Sequence, residues 1–196
     1  MSFKKSYISA NGYTPVCKIG ECSLKKLEFG IIELDAGESL DFNTFDKETA
    51  FIMLEGHCNV KVNNEVYENV GNRANVFENR KAESFYMPIE QNLTITAIDN
   101  IKIAVCATPL NERTEPQVLR EDHVVLKRLG KVPFERETSF IIDGNSNAKI
   151  LTIGENMKIR RFARYEGKVA SYVHGGGKIG VLTLIEGEDT NATKEV

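Results

Sequence analysis

The stretch YVHGGGKIGVLTL, Tyr172 to Leu184, sets three glycines between a histidine and a lysine. A phosphate-cradling loop would read G-x-x-x-x-G-K-[ST] between a strand and a helix, with the hydroxyl on magnesium. Ile179 stands where that hydroxyl belongs, and IGVLTLI continues as a strand pattern. The glycines therefore read as a structural hinge, since glycine accepts positive φ or close backbone approach without steric penalty. Other chemistry-bearing residues are sparse. His57, His123 and His174 lie far apart. Cysteines 17, 22, 58 and 106 contain no C-x-x-C, and one C-x4-C without a second pair is a poor zinc signature. Cys58 and Cys106 lie in apolar, strand-like runs and read as small buried hydrophobes. All four read as reduced thiols of a cytoplasmic protein.

One spacing still asks for a site. Gly37 is followed by five residues, then Asn43-Thr44-Phe45, two residues, Glu48, and seven residues to Gly56. The elements that would position it are short strands from Leu27 to Pro109: LEFGIIEL, AFIMLEG, HCNVKV, EVYENV, ANVFEN, SFYMP, LTITAI and IKIAVCA. Asn63-Asn64 and Asp99-Asn100 supply hairpin turns, because asparagine tolerates positive φ. Strands of about five residues at 8–12-residue spacing predict an all-β sandwich or barrel, most simply a jelly roll. Alternation points Phe51, Met53, Val60, Val62, Phe85, Ile95, Ile103 and Val105 inward.

Beyond Pro109 the texture changes. LNERTEPQ is a polar connector, and VLREDHVVLKRLG fits a short helix or a strand with a bend. ERETSFIIDGNSNAKILTIG holds two strand-like runs split by a turn, and KIRRFARYEG alternates as an exposed strand does. With 196 residues, 41% of them hydrophobic, the chain can build a real core. A net charge of −3 creates no field toward nucleic acid or anionic membrane. No apolar run approaches the roughly 20 residues of a membrane span, and the N-terminus shows no apolar signal core.

The Gly37–Gly56 spacing resembles the cupin motif G-x5-H-x-H-x3–4-E-x6-G, which gathers His, His and Glu around one metal. Asn43 and Phe45 replace the histidines, and Leu93 stands where the last histidine would fall. A lone Glu48 with asparagine and phenylalanine is not a transition-metal donor set. The barrel is expected to be metal-free, with no cofactor. LDAGESL, LEGHCNVKV, VGNRANVFEN, FYMPIEQNLTITA and IAVCATP together resemble the N-terminal half of the 5-deoxy-glucuronate isomerase (IolB) family, from about Gly30 to Ile153. The resemblance implies a bicupin whose metal and catalysis belong to a C-terminal barrel with a P-P-H-K-H stretch, which this sequence lacks.

A different family is suggested by Ile153–Glu188. The run I-R-R-F, then Y-x-H-x-G-G-K-I-G-V-L, resembles translation elongation factor Ts. It implies a core fragment in which the glycine bend joins two strands, without the helical domain or the T-D-F-V motif that acts on elongation factor Tu. The two resemblances meet near residues 148–156.

The expected fold is mainly β: a cupin-type jelly-roll barrel over 1–112, bridging strands over 113–153, and a short β-rich α+β fragment over 154–196. No catalytic residue is assigned. Glu48 reads as a surface carboxylate or a leftover acid in the barrel mouth. Arg73 and Glu78 read as contacts around a turn, with ligand contact as the alternative. Arg160, Arg161, Arg164, His174 and Lys178 are the candidates for touching a partner, which would be elongation factor Tu or a second copy at the barrel or an exposed strand edge.

Overall fold

The computed structural model describes residues 6–21, 24–131, 135–144, 146–150, 152–156, 168–174 and 179–185, with the backbone alone from 153 onward. The chain divides into two compact units, Met1–Met157 and Lys158–Val196.

The first unit contains twelve strands among its described residues: β1 (Gly12–Cys17), β2 (Glu28–Leu34), β3 (Ser39–Asn43), β4 (Lys47–Val62), β5 (Glu65–Arg73), β6 (Ser84–Met87), β7 (Asn92–Ala97), β8 (Ile101–Pro109), β9 (Gln117–Leu119), β10 (Val125–Leu129), β11 (Arg136–Ile142) and β12 (Thr152–Asn156). One sheet runs β1-β2-β8-β4-β6-β9, and a second runs β3-β7-β4-β5, every pairing antiparallel. The long β4 serves both. Its first part, Lys47 to Glu55, pairs with β8, and Thr49 to Ile52 pair with β6. From Gly56 to Val62 it pairs with β5, and from Cys58 with β7. The register slips on both sides of Gly56, and such bulges bend a strand from one sheet into the next.

Gly56 carries this corner because nothing larger fits. Its φ is +75°, and a Cβ would lie 2.3 Å from the Asn100 carbonyl oxygen. On the facing strand, Gly71 has φ +116°, and its Cβ would lie 2.1 Å from the Gly56 carbonyl oxygen. Two backbones touch here, which only glycine permits.

Between the sheets lies one apolar cluster, which contains all eight residues that alternation points inward. Phe51 and Phe85 stack at 4.5 Å, and Phe42 meets Phe51 edge-on at 5.2 Å. Each fully buried Phe, Ile or Met contributes about 1.5–3 kcal/mol relative to exposure. A second cluster lies on the outer face of the first sheet, where Ala50, Ile52 and Tyr86 pack against Leu119, Val124, Ile141, Ile142 and Ile150. The connector and β11 thus close over the first sheet; β10, β11 and β12 form a small sheet of their own.

Several expectations change. GYTPVC forms the edge strand β1, and Pro15 stands there beside a bulge, where proline within a sheet is tolerated. ANVFEN is not a strand: the chain turns there, with Phe77 93% exposed. VLREDHVVLKRLG resolves as strand, one 3-10 turn (Glu121–His123) and strand. Cys17, beside the β1 bulge, is disulfide-bonded, and its partner lies outside the described residues. That corrects the expectation of four reduced thiols and removes part of the reason for a cytoplasmic reading. Cys58 and Cys106 are free.

The second unit contains, among its described residues, β13 (Lys168–His174) and β14 (Ile179–Ile185), antiparallel, with His174 opposite Ile179. Among the described residues no helix is long and apolar enough to cross a membrane.

Candidate functional site

The positions of the metal-site spacing do not converge. The Asn43 Nδ2 donates to Asn92 Oδ1 at 2.5 Å, and its Oδ1 accepts from the Phe45 N–H at 2.6 Å. That local bond holds Phe45 at φ +50° and turns its ring to solvent, 66% exposed. Leu93 belongs to the core between the sheets. Asparagine, phenylalanine and leucine offer no set of nitrogen or carboxylate donors, so the metal of the cupin motif does not fit these residues. Among the described residues no group of three His, Cys, Asp or Glu side chains gathers to hold a metal.

Glu48 is neither at the surface nor in the barrel mouth. It is only 1% exposed, and by strand parity it shares the face of Ala50 and Ile52, outside the barrel. Its Oε2 accepts from the Tyr86 hydroxyl at 3.0 Å and from the Lys149 backbone N–H at 2.9 Å. Tyr86 also shares a 2.8 Å hydrogen bond with Thr114. Burial, with the Glu48 carboxylate adding to it, pushes the Tyr86 phenol up to about 12. The inward-facing neighbour is Thr49, opposite Met87, with six residues separating it from Gly56. Thr49, not Glu48, therefore occupies the place of the motif's acid. The motif's count, three residues after Phe45 and six before Gly56, also falls on Thr49, and the direction of the strand face agrees with it.

Arg73 donates from Nη2 to the Met53 carbonyl at 3.0 Å, and its Nε is buried with no partner among the described residues. Burial lowers its pKa, against the opposing pull of the Glu78 charge. Glu78 is exposed in the turn after β5, where its N–H reaches the Asn75 carbonyl. Neither residue is among the hydrogen-bond partners of Glu48.

His57 is half-buried and held twice by Asp99. Its backbone N–H donates to Oδ1 at 2.5 Å, and its Nδ1 lies 2.8 Å from Oδ2. Partial desolvation raises the Asp99 pKa, but the ring and backbone hydrogen bonds from His57 outweigh it and hold the carboxyl below its usual range. The hairpin signal at Asp99-Asn100 marked this turn, but nothing local paired it with His57, 42 positions away. His123 ends the 3-10 turn, where its Nδ1 accepts from the Arg120 N–H at 3.2 Å.

A polar network that the sequence did not announce ties the connector to β5. Arg120 bonds the Glu68 and Asn69 carbonyls and the Glu83 carboxylate, which also accepts from the Gly71 N–H. Glu121 receives Asn72, Arg80 and the Lys81 N–H. These bonds occupy edge groups of β5 that would otherwise be open to another strand. Of the partner candidates, Arg160, Arg161, Arg164 and Lys178 lie outside the described residues; His174 is described by its backbone alone.

Known proteins resemble both ends of this picture. A 5-deoxy-glucuronate isomerase of Bacillus licheniformis is 24% identical over 139 residues, covering 70% of this chain and 51% of its own. The chain thus spans about half the length of that relative. An elongation factor Ts of Hydrogenobaculum sp. is 36% identical over 81 residues, covering 37% of this chain and 30% of that protein. Among solved structures, an IolB-like protein of Salmonella typhimurium LT2 aligns with TM-score 0.63 at 23% identity, over 68% of this chain and 51% of that one. That likeness carries the fold. The KduI/IolB family profile matches residues 3–172, past Ile153 where the motifs end their resemblance. With that match over most of its length and a jelly roll beneath it, the chain belongs to the KduI/IolB family.

Proposed function

We propose that this chain is the metal-less first barrel of an IolB-type protein, catalytically incomplete by itself, with a structural or binding role. The supporting observation is the fate of the motif positions. Asn43 binds a neighbouring strand, Phe45 faces water, Leu93 and Thr49 face the packed interior, and Glu48 clamps the connector. Aldose–ketose isomerisation needs a base and a polarising group held together, and these residues supply neither. Losing one positioned electrostatic group typically costs about 2.7–4 kcal/mol of transition-state stabilisation. A coupled assay of 5-deoxy-glucuronate turnover tests the reading: the expected rate equals the buffer blank, and clear turnover overturns it. A sugar acid held by the barrel without turnover is the binding form of the same reading.

A second reading is favoured by the elongation factor Ts match. In it residues 154–188 contact elongation factor Tu. The motif that would act on that factor is not in the sequence, so contact without nucleotide exchange is expected. A pull-down with purified elongation factor Tu decides it, together with a GDP-release assay.

A further inference from the structure

The connector and β11 pack over the outer face of the first sheet. The outer face of the second sheet presents a groove of 430 Å³ whose polar lining is Asp41, Asn43, Lys61, Asn63, Asn92 and Thr94. Four of these, Asp41, Lys61, Asn63 and Asn92, are exposed. The residues stand in register across three strands: Asn43 opposite Asn92, and Asp41 opposite Thr94, which is opposite Lys61. All are short amides, hydroxyls or carboxylates except Lys61, so little side-chain entropy is lost when a ligand orders them. The volume lies in the range of small-molecule sites.

The hydrogen bonds within the groove leave a definite remainder. Asp41 accepts from Thr94 through Oδ1 at 2.7 Å, which leaves Oδ2 as an acceptor. Asn92 accepts from Asn43 through Oδ1, which leaves both hydrogens of its Nδ2. Asn63 donates to Gln91 at 3.3 Å, which leaves its own Oδ1. The Lys61 ammonium makes no ion pair among the described residues. Acceptors on Asp41 and Asn63 and donors on Asn92 and Lys61 are thus among the groups that face one groove, with one positive and one negative side chain. Vicinal hydroxyls, each both donor and acceptor, satisfy such a set. The charges of Asp41 and Lys61 sum to zero, so the groove as a whole selects neither an anion nor a cation.

We propose that this groove is a binding site for a neutral polyhydroxylated ligand of monosaccharide size. It lies outside the barrel interior and does not rest on the isomerase reading. Phe42 packs inward against Phe51, so no aromatic platform supports a sugar ring, and the expected dissociation constant is on the order of 1 mM.

The test is saturation-transfer NMR on the full chain with D-glucose, with D-glucuronate and with glycerol. Expected are transfer to the glucose ring protons, binding at least about tenfold weaker in Asp41→Asn and Lys61→Ala, and no change in Lys127→Ala on the distant strand β10. Both groove positions are exposed, so circular dichroism and the urea midpoint should match the parent. Three results would overturn the proposal: no transfer from any hexose; transfer unchanged in both groove variants; or glucuronate binding tenfold more tightly than glucose. A dimer by sedimentation that Lys61→Ala dissociates would also overturn it, since the groove would then seat a second copy.

Discussion

Glu48 and Tyr86 meet across β4 and β6, carboxylate to phenol at 3.0 Å, on the face of the first sheet that points away from the barrel. They stand diagonally, because Tyr86 pairs directly with Ala50. The same carboxylate oxygen takes the Lys149 N–H from a segment 101 positions away. An acid that resembles a remnant of a metal site is thus the clamp between barrel and connector.

Glu48→Ala should therefore lower stability by about 1–3 kcal/mol, because it leaves the Lys149 backbone donor unpaired and the buried Tyr86 phenol with Thr114 alone. Tyr86→Phe should cost less, and the double variant should cost less than the sum. Urea titration of the four proteins measures the coupling; strict additivity would remove the clamp.

Metal content should be insensitive to Glu48. Elemental analysis of the purified chain should find less than stoichiometric zinc, manganese and iron, in parent and Glu48→Ala alike. A metal at about one per chain that disappears in the variant would restore the acid to a ligand role.

Gly71→Ala and Gly56→Ala should each destabilise by more than the roughly 1–3 kcal/mol of a strained backbone alone, since the new Cβ meets a carbonyl oxygen. Gly37→Ala, whose Cβ would meet nothing within 4 Å, should cost only the backbone term. Thermal melts rank them. Gly37→Ala at or below the other two in Tm would contradict the contact between the two backbones.

Gly30 leaves room for Tyr13, whose ring would come within 2.4 Å of an added Cβ and is itself held edge-on by Phe42 at 5.2 Å. Gly30→Ala should therefore displace the ring and cost on the order of 1 kcal/mol. In a Tyr13→Ala background the same change should be nearly neutral. Equal costs in both backgrounds would show that the ring does not rest on Gly30.

Asp99 supplies a pH dependence with a definite sign. Its folded pKa lies below the ordinary 3.8, so its contribution is present above that value and is lost as pH falls through the lower folded value. The margin of the parent over Asp99→Asn should be present at pH 5 and shrink below pH 3.8. Half-exposed, the pair should contribute under about 1 kcal/mol. A margin that grows toward acid would reverse the assignment.

Much of this was determined by local chemistry along the chain. Period-two alternation selects Phe51, Met53, Ile95 and Val105 for one face wherever they pair, so the inner core was legible without coordinates. Asn63-Asn64 announced the β4–β5 hairpin, because asparagine accepts the turn geometry; the Asp99-Asn100 signal marks a turn but not a hairpin, since it joins β7 to β8, which pair with other strands in different sheets. The absence of histidines from the metal spacing was equally plain. What the chain alone left open depended on contacts between distant segments. Glu48 and Thr49 are adjacent, and which of them faces the barrel depends on the register of β4 against β6 and β8. The pairing of His57 with Asp99, and of Arg120 with Glu83, arises because the bulged corner and the connector bring separate strands together. Burial alone made Glu48 a clamp, since an acid enclosed by Tyr86 and Lys149 must be satisfied where it stands, and no local pattern encodes that enclosure.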